Sequence, residues 1–132
     1  MAEIPVKGVI VSDQWNTGLM AHLGMRILEV AAERVVGELE IGEHLKTTTG
    51  AVHGGTLMAF ADTIGAVGTS ALGLKTATLE SKTNFFAAAT AGRLRAESTA
   101  LHRGKRTHVW QTRVTDDSGR LLSLTIQTQM IL

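Results

Sequence analysis

The stretch Val52-His53-Gly54-Gly55-Thr56-Leu57-Met58-Ala59-Phe60-Ala61-Asp62-Thr63-Ile64-Gly65-Ala66-Val67-Gly68 decides the reading of the fold. Leu57, Met58, Ala61, Ile64, Gly65 and Gly68 recur at spacings of three and four, which predicts a helix over Gly54 to Leu72. The pattern is apolar nearly all round, so burial is expected on most sides. Gly65 and Gly68 lower helix propensity, so they are expected where another backbone comes close.

Two features of this stretch carry chemistry. Between Lys46 and Lys75 the only ionisable side chains are His53 and Asp62. A lone carboxylate is costly to bury unless it is paired or lines a cavity. Asp62 therefore either sits at a solvent-facing spot or bonds nearby Thr63 or Ser70, or it lines a pocket as nucleophile or general base. His53-Gly54-Gly55 stands where the helix begins. A helix N-terminus offers unpaired N–H groups and a partial positive charge, and glycines let a ligand come close to that backbone. Such a site can hold a carbonyl oxygen as it becomes an oxyanion. A glycine loop that merely enters a helix is the plainer alternative, and His53 alone reads as structural. Gly-Gly beside it and Asp62 nine positions on make the combination specific.

Outward from the helix, Met25 to Ala31 and Arg34 to Ile41 read as strands, and Thr47 to Val52 as a loop. The later chain reads as four strands: Ala77 to Phe86, Arg93 to His102, Thr107 to Thr115 and Leu121 to Ile131. Turns fall at Arg103-Gly104-Lys105 and Asp116-Asp117-Ser118-Gly119. Val11 to His22 is ambiguous: Trp15, Leu19 and His22 could share a helix face that Gly24 ends. Short connections favour an antiparallel sheet. About six strands and one buried helix suggest a sheet curled around that helix. Met25, Met58 and Phe60 read as core more than as pocket lining. Trp15 and Trp110 fit either binding or interface packing.

The 132 residues fit a single domain spanning 1–132. With 44% apolar and 19% charged residues the chain reads as globular, not disordered. Cysteine is absent, which excludes a disulfide framework, a thiolate zinc site and a cysteine nucleophile. It also fits a reducing compartment, so a cytoplasmic location is expected. A net charge of +1 gives no reason to expect nucleic acid. Met1 to Lys7 lacks the pattern of a signal peptide. The run Thr47 to Leu74 has Asp62 in its middle and is not read as crossing a membrane. No cluster of His and carboxylates suggests a metal, and no cofactor is expected.

Gly50-Ala51-Val52-His53-Gly54-Gly55, then Ala61-Asp62-Thr63, Thr83-Asn84-Phe85-Phe86 with Gly92, and Asp116-Asp117-Ser118-Gly119-Arg120 together resemble the PaaI-type hotdog thioesterases. That group includes 4-hydroxybenzoyl-CoA thioesterases that use a helix carboxylate. The resemblance runs from about Leu23 to Leu132. It implies an α+β hotdog fold, an antiparallel sheet wrapped around one long helix, and hydrolysis of an acyl-CoA thioester to a carboxylic acid and CoA. Asp62 would be the catalytic carboxylate. The Gly54 amide would polarise the carbonyl, His53 would shape that loop, and Gly55 would contact the substrate. Thr47 falls where relatives often carry Asn or Gln to assist the carbonyl or the water. Thr78 falls near a hydroxyl that in some relatives helps place the water. Ala87-Ala88 stands where relatives often have Arg-Pro, so any cation for the CoA phosphates must come from elsewhere. The run Arg103-Gly104-Lys105-Arg106 is the candidate, with a solvated hairpin tip as the alternative.

A homo-oligomer, a dimer or a dimer of dimers, is expected, and spacing as well as resemblance implies a site shared by two subunits. Gly54 and Asp62 are eight residues apart, roughly 12 Å along a helix at 1.5 Å per residue. One carbonyl cannot touch both on the same helix. Two antiparallel helices related by a twofold axis bring each Asp62 to the other helix's N-terminus. Two rival readings keep the fold. Hotdog hydratases and dehydratases need a different His/Asp placement, which His-Gly-Gly argues against. A non-catalytic acyl-CoA-binding or regulatory domain would retain its ligand without turnover.

Overall fold

In a computed structural model, which describes residues 15–132, the alternating segments all become strands, within a residue or two of the expected bounds. Helix α1 (Gly18–Leu23) ends at Gly24, whose φ of 75° is the left-handed conformation that glycine takes without strain. Strands β1 (Arg26–Val30) and β2 (Arg34–Glu40) follow, then a 3-10 turn at Glu43–Leu45, then helix α2 (Gly54–Ser70). Strands β3 (Thr76–Phe85), β4 (Arg93–Arg103), β5 (Thr107–Thr115) and β6 (Leu121–Ile131) complete the order. Residues 1–14 carry the reading of Met1 to Lys7 and the start of the Val11 to His22 segment. Those readings lie outside the described residues.

The six strands form one sheet in the order β1-β2-β4-β5-β6-β3, every neighbouring pair antiparallel. Strand β3 leaves α2 and crosses to the far edge, beside β6. Helix α2 touches all six strands, as a sheet wrapped around it requires. This is the α+β hotdog arrangement. Among the described residues no helix is long and apolar enough to cross a membrane.

The face of α2 that carries Leu57, Phe60, Ile64 and Val67 is buried against apolar side chains that include Ile27, Val35, Leu39, Leu94 and Ala96. Nine of the 17 residues of α2 are buried, so burial on most sides is borne out. The rest of the helix is less covered in the single chain: Gly55 and Met58 are exposed, and Ala59, Asp62, Ala66 and Ser70 are only partly covered. Met58 therefore lies outside the core. Met25 and Phe60 lie inside it.

The close approaches at Gly65 and Gly68 come from side chains rather than from a backbone. A Cβ on Gly65 would lie 2.3 Å from Gln127 Oε1, and one on Gly68 would lie 2.3 Å from the Trp110 ring. Trp110 is fully buried and donates its Nε1–H to Thr69 Oγ1 at 3.1 Å, so it packs within the chain. Strand β6 inverts the usual burial code. Gln127 and Gln129 are 1% and 0% exposed, whereas Ile126 and Met130 are 41% and 42% exposed.

Candidate active site

The N-terminus of α2 is fixed by bonds on both sides. His53 N–H donates to the Leu45 carbonyl at 2.8 Å, Thr56 Oγ1 donates to the same carbonyl at 3.1 Å, and Val52 N–H donates to Ala89 at 2.9 Å. His53 caps the helix: its Nδ1 accepts the Gly55 N–H at 2.7 Å. In the neutral ring the proton then sits on Nε2. The cap uses the Gly55 amide, while the Gly54 amide finds no acceptor among the described residues. One backbone donor is thus left at the positive end of the helix. The Phe85 ring lies over Gly54, where an added Cβ would come within 3.2 Å of it. Beside this end a hollow of about 290 Å³ opens between the two helices, lined by Leu19, Leu23, Leu45, His53, Gly55 and Ala59 among others.

Asp62 lies on the partly covered face of α2. It bonds to neither Thr63 nor Ser70; Thr63 Oγ1 turns back to the Ala59 carbonyl at 2.8 Å. Instead Asp62 Oδ1 accepts the Thr78 hydroxyl at 2.7 Å and the Gln127 amide at 3.2 Å. Gln127 Nε2 also donates to the Asp62 carbonyl at 3.0 Å. Thr78 in turn accepts from Gln129 Nε2 at 2.6 Å. Asp62 Oδ2 has no hydrogen-bond partner among the described residues. The site therefore holds a carboxylate with one oxygen anchored and the other open, and a free amide about 12 Å along the same helix.

Residues 49–123 match the family described as the thioesterase superfamily. The chain belongs to it. A 1,4-dihydroxy-2-naphthoyl-CoA hydrolase from Listeria monocytogenes is 32% identical over 111 residues, covering 81% of this chain and 89% of the relative. Among solved structures, a mutant of a thioesterase enzyme from Staphylococcus aureus superposes with a TM-score of 0.84 at 28% identity, covering 87% of this chain and 98% of that one. A hypothetical thioesterase protein with coenzyme A, from Streptococcus pneumoniae TIGR4, has a TM-score of 0.80 at 24% identity, with 83% and 86% covered. As a member of the superfamily the chain is a thioester hydrolase with the hotdog fold.

For this thioesterase the expected residues other than Thr47 fall into three places. His53, Gly54 and Gly55 share the helix N-terminus, and Asp62 and Thr78 are in direct contact. The third place is the β4–β5 turn. Arg103 donates there to the Ala32 carbonyl at 2.9 Å and pairs with Glu33 at 3.3 Å, so its guanidinium is engaged within the chain. Gly104 closes the turn on the Thr107 carbonyl, leaving Lys105 and Arg106 exposed. Thr47 stays within its own loop, its Oγ1 bonded to the Thr49 hydroxyl at 2.7 Å. Register links the basic turn to the carboxylate. Arg103 pairs with His108, His108 with Gln129, and Gln129 with Thr78, on one line across β4, β5, β6 and β3. Three strand spacings of about 4.8 Å put the turn roughly 14 Å from Thr78.

Gln127 and Gln129 were not singled out from the sequence, although they hold the carboxylate. The signal that marks them is the run Ser123-x-Thr125-x-Gln127-x-Gln129, polar at every second position. Its apolar alternates, Leu124, Ile126 and Met130, look like the buried set and are not.

Proposed function

We propose that the chain hydrolyses an acyl-CoA thioester to a carboxylic acid and CoA, in a site completed by a second copy of itself. The observation that carries this reading is the half-anchored Asp62 carboxylate, on the same helix as the unpaired Gly54 amide but out of its reach. Asp62 Oδ2 either attacks the thioester carbon or takes a proton from water as the water attacks. The Gly54 amide, with His53 beside it, receives the oxyanion. The carbon–sulfur bond then breaks, and the CoA thiolate leaves to be protonated. If Asp62 is the nucleophile, water hydrolyses the resulting anhydride. Lys105 and Arg106 meet the CoA phosphates as mobile cations. The relative named as a naphthoyl-CoA hydrolase and the neighbour with coenzyme A support an acyl-CoA substrate.

Support for the second copy lies on one flank. Strand β3 is a sheet edge with an unpaired row of backbone groups. Leu79, Phe85, Phe86 and Met58 are exposed on or beside it. Twofold pairing of β3 with its symmetry mate would cover these groups and set the two α2 helices antiparallel. The cysteine-free composition suits a cytoplasmic setting.

Thiol release from benzoyl-, phenylacetyl- and fatty acyl-CoA tests the reading. Turnover of at least one ester is expected. Asp62→Asn, folded as judged by circular dichroism, is expected to lose on the order of 10²–10⁴-fold in kcat. Tight retention of a CoA ester without turnover would instead make the chain a binding domain. Co-expressing Asp62→Asn with Gly54→Pro tests the shared site. Each variant alone is expected to be nearly inactive, and mixed dimers to recover up to about half the activity through one intact site. Verified mixed dimers that stay inactive would put both groups to work within one chain.

A further inference from the structure

The bonds around Asp62 have a direction that can be read outward from the carboxylate. An ionised carboxylate only accepts. Thr78, 2.7 Å from Oδ1, must therefore donate its single hydroxyl hydrogen to Asp62. With that hydrogen used, the Gln129 atom 2.6 Å from Thr78 Oγ1 must be a donor, Nε2. Gln129 Oε1 then faces Thr76 Oγ1 at 3.0 Å, whose one hydrogen can go to it or to the Met130 carbonyl at 2.9 Å. Gln127 supplies the second donor on Oδ1, and its amide sits in the space that Gly65 leaves by having no side chain.

Burying two glutamines on a strand that could have carried apolar residues costs desolvation and rotamer freedom. Gln127 even leaves its Oε1 without a partner among the described residues, while its Nε2 reaches Asp62. The terminal torsion of an aspartate is broad, so the plane of an unheld carboxylate would not be fixed relative to a substrate. Two donors on one oxygen remove that freedom.

We infer that Gln129 acting through Thr78, together with Gln127, positions Asp62 for the reaction by saturating Oδ1 and leaving Oδ2 as the oxygen that meets the thioester or its water. This rests on the reading of Asp62 as the reacting carboxylate. Gln127 and Gln129 are positioning residues: neither needs to touch the substrate.

A double-mutant cycle on the full chain tests this, with kcat and KM measured on the best acyl-CoA. Thr78→Val is expected to lower kcat by roughly 10- to 100-fold, the range for losing a hydrogen bond to a charged group, with KM little changed. Thr78→Ser keeps the hydroxyl and restores most of kcat. Gln129→Met lowers kcat in the wild-type background and adds nothing in the Thr78→Val background, because its only route to Asp62 is then gone. Additive losses, an unchanged kcat in Gln129→Met, or no rescue by Thr78→Ser would overturn the inference. Should Gln129→Met fail to fold, the partly exposed Thr76→Val takes its place. It releases the Gln129 amide to flip, and its loss is again confined to the background that keeps Thr78. Asp62→Asn is measured alongside. Full activity there removes Asp62 itself from the reaction, whereas an inactive Asp62→Asn with additive Gln129 losses removes the positioning role alone.

Discussion

The two flanks of the sheet beneath α2 follow opposite rules. On the β1–β2–β4 flank the helix meets Ile27, Val35, Leu39, Leu94 and Ala96, all buried. On the β6–β3 flank the inward residues of β6 are Ser123, Thr125, Gln127 and Gln129, and those of β3 include Thr78 and Thr83. Hydroxyls even bond across strands there: Thr83 to Thr125 at 2.7 Å. Apolar burial is non-directional; it sets which face of the helix lies against the sheet, not where a single side-chain oxygen points. Hydrogen bonds are directional, and the polar flank uses them to set the orientation of one carboxylate. One flank holds the helix in place, and the other aims its carboxylate.

If this division is right, the largest effect on stability should come from the apolar flank and leave the chemistry alone. Phe60 is fully buried in the cluster beneath α2. Phe60→Ala is expected to cost about 3–5 kcal/mol, measured by urea unfolding at fixed protein concentration. Where it still folds, kcat should stay close to wild type. A loss below about 1 kcal/mol would show that the apolar flank is not what holds the helix.

Gly65 and Gly68, three residues apart on α2, separate the two roles more finely. Replacing glycine with alanine favours the helix by up to about 1 kcal/mol, whereas overpacking costs about 1–3 kcal/mol. At Gly68 the new methyl meets the rigid, buried Trp110 ring, so Gly68→Ala is expected to destabilise while keeping kcat. At Gly65 it meets the far end of Gln127, which can turn aside and so leaves Asp62. Gly65→Ala is therefore expected to cost less stability and more kcat. Should the two variants change stability and kcat in the same proportion, the distinction between the flanks fails at this point.

The same contrast explains what the sequence could show. Strands and helix were legible because hydrophobic period and turn residues are local signals, as at Asp116-Asp117-Ser118-Gly119 between β5 and β6. Asp62 and His53-Gly54-Gly55 were legible because polar groups stood out in an apolar run. Gly65 and Gly68 announced a close approach, but what approaches them comes from residues 127 and 110, over 40 positions away. Gln127 and Gln129 stayed hidden for a further reason. Alternation along β6 shows that two faces exist and not which one meets the helix. Burial preference would have turned Ile126 and Met130 inward, whereas Gln127 and Gln129 face the helix and bond Asp62 and Thr78.

The smallest expected effect lies where the two flanks meet, at His108 on β5. Its ring is buried, and its Nδ1 is 3.0 Å from Thr69 Oγ1. The Trp110 indole can only donate, so Thr69 accepts from it and gives its own hydrogen to Nδ1. That bond requires an unprotonated Nδ1. Burial pushes the His108 pKa below the usual histidine value, the charges of Arg103 and His102 push it further down, and a backbone bond at Gly104 opposes them. Between the lowered folded value and about 6.5 the unfolded chain binds more protons than the folded one. Stability therefore rises with pH through that window and is level in this group above it. Lowering the pH from about 7.5 to about 5.5 should cost the wild type stability through His108. His108→Asn keeps an acceptor near the Nδ1 position and removes the titration. Urea unfolding at both pH values is expected to show a smaller acid-induced loss in the variant than in the wild type. Parallel losses would mean that His108 charges as readily in the fold as outside it, and that the Trp110–Thr69–His108 chain does not hold its ring neutral.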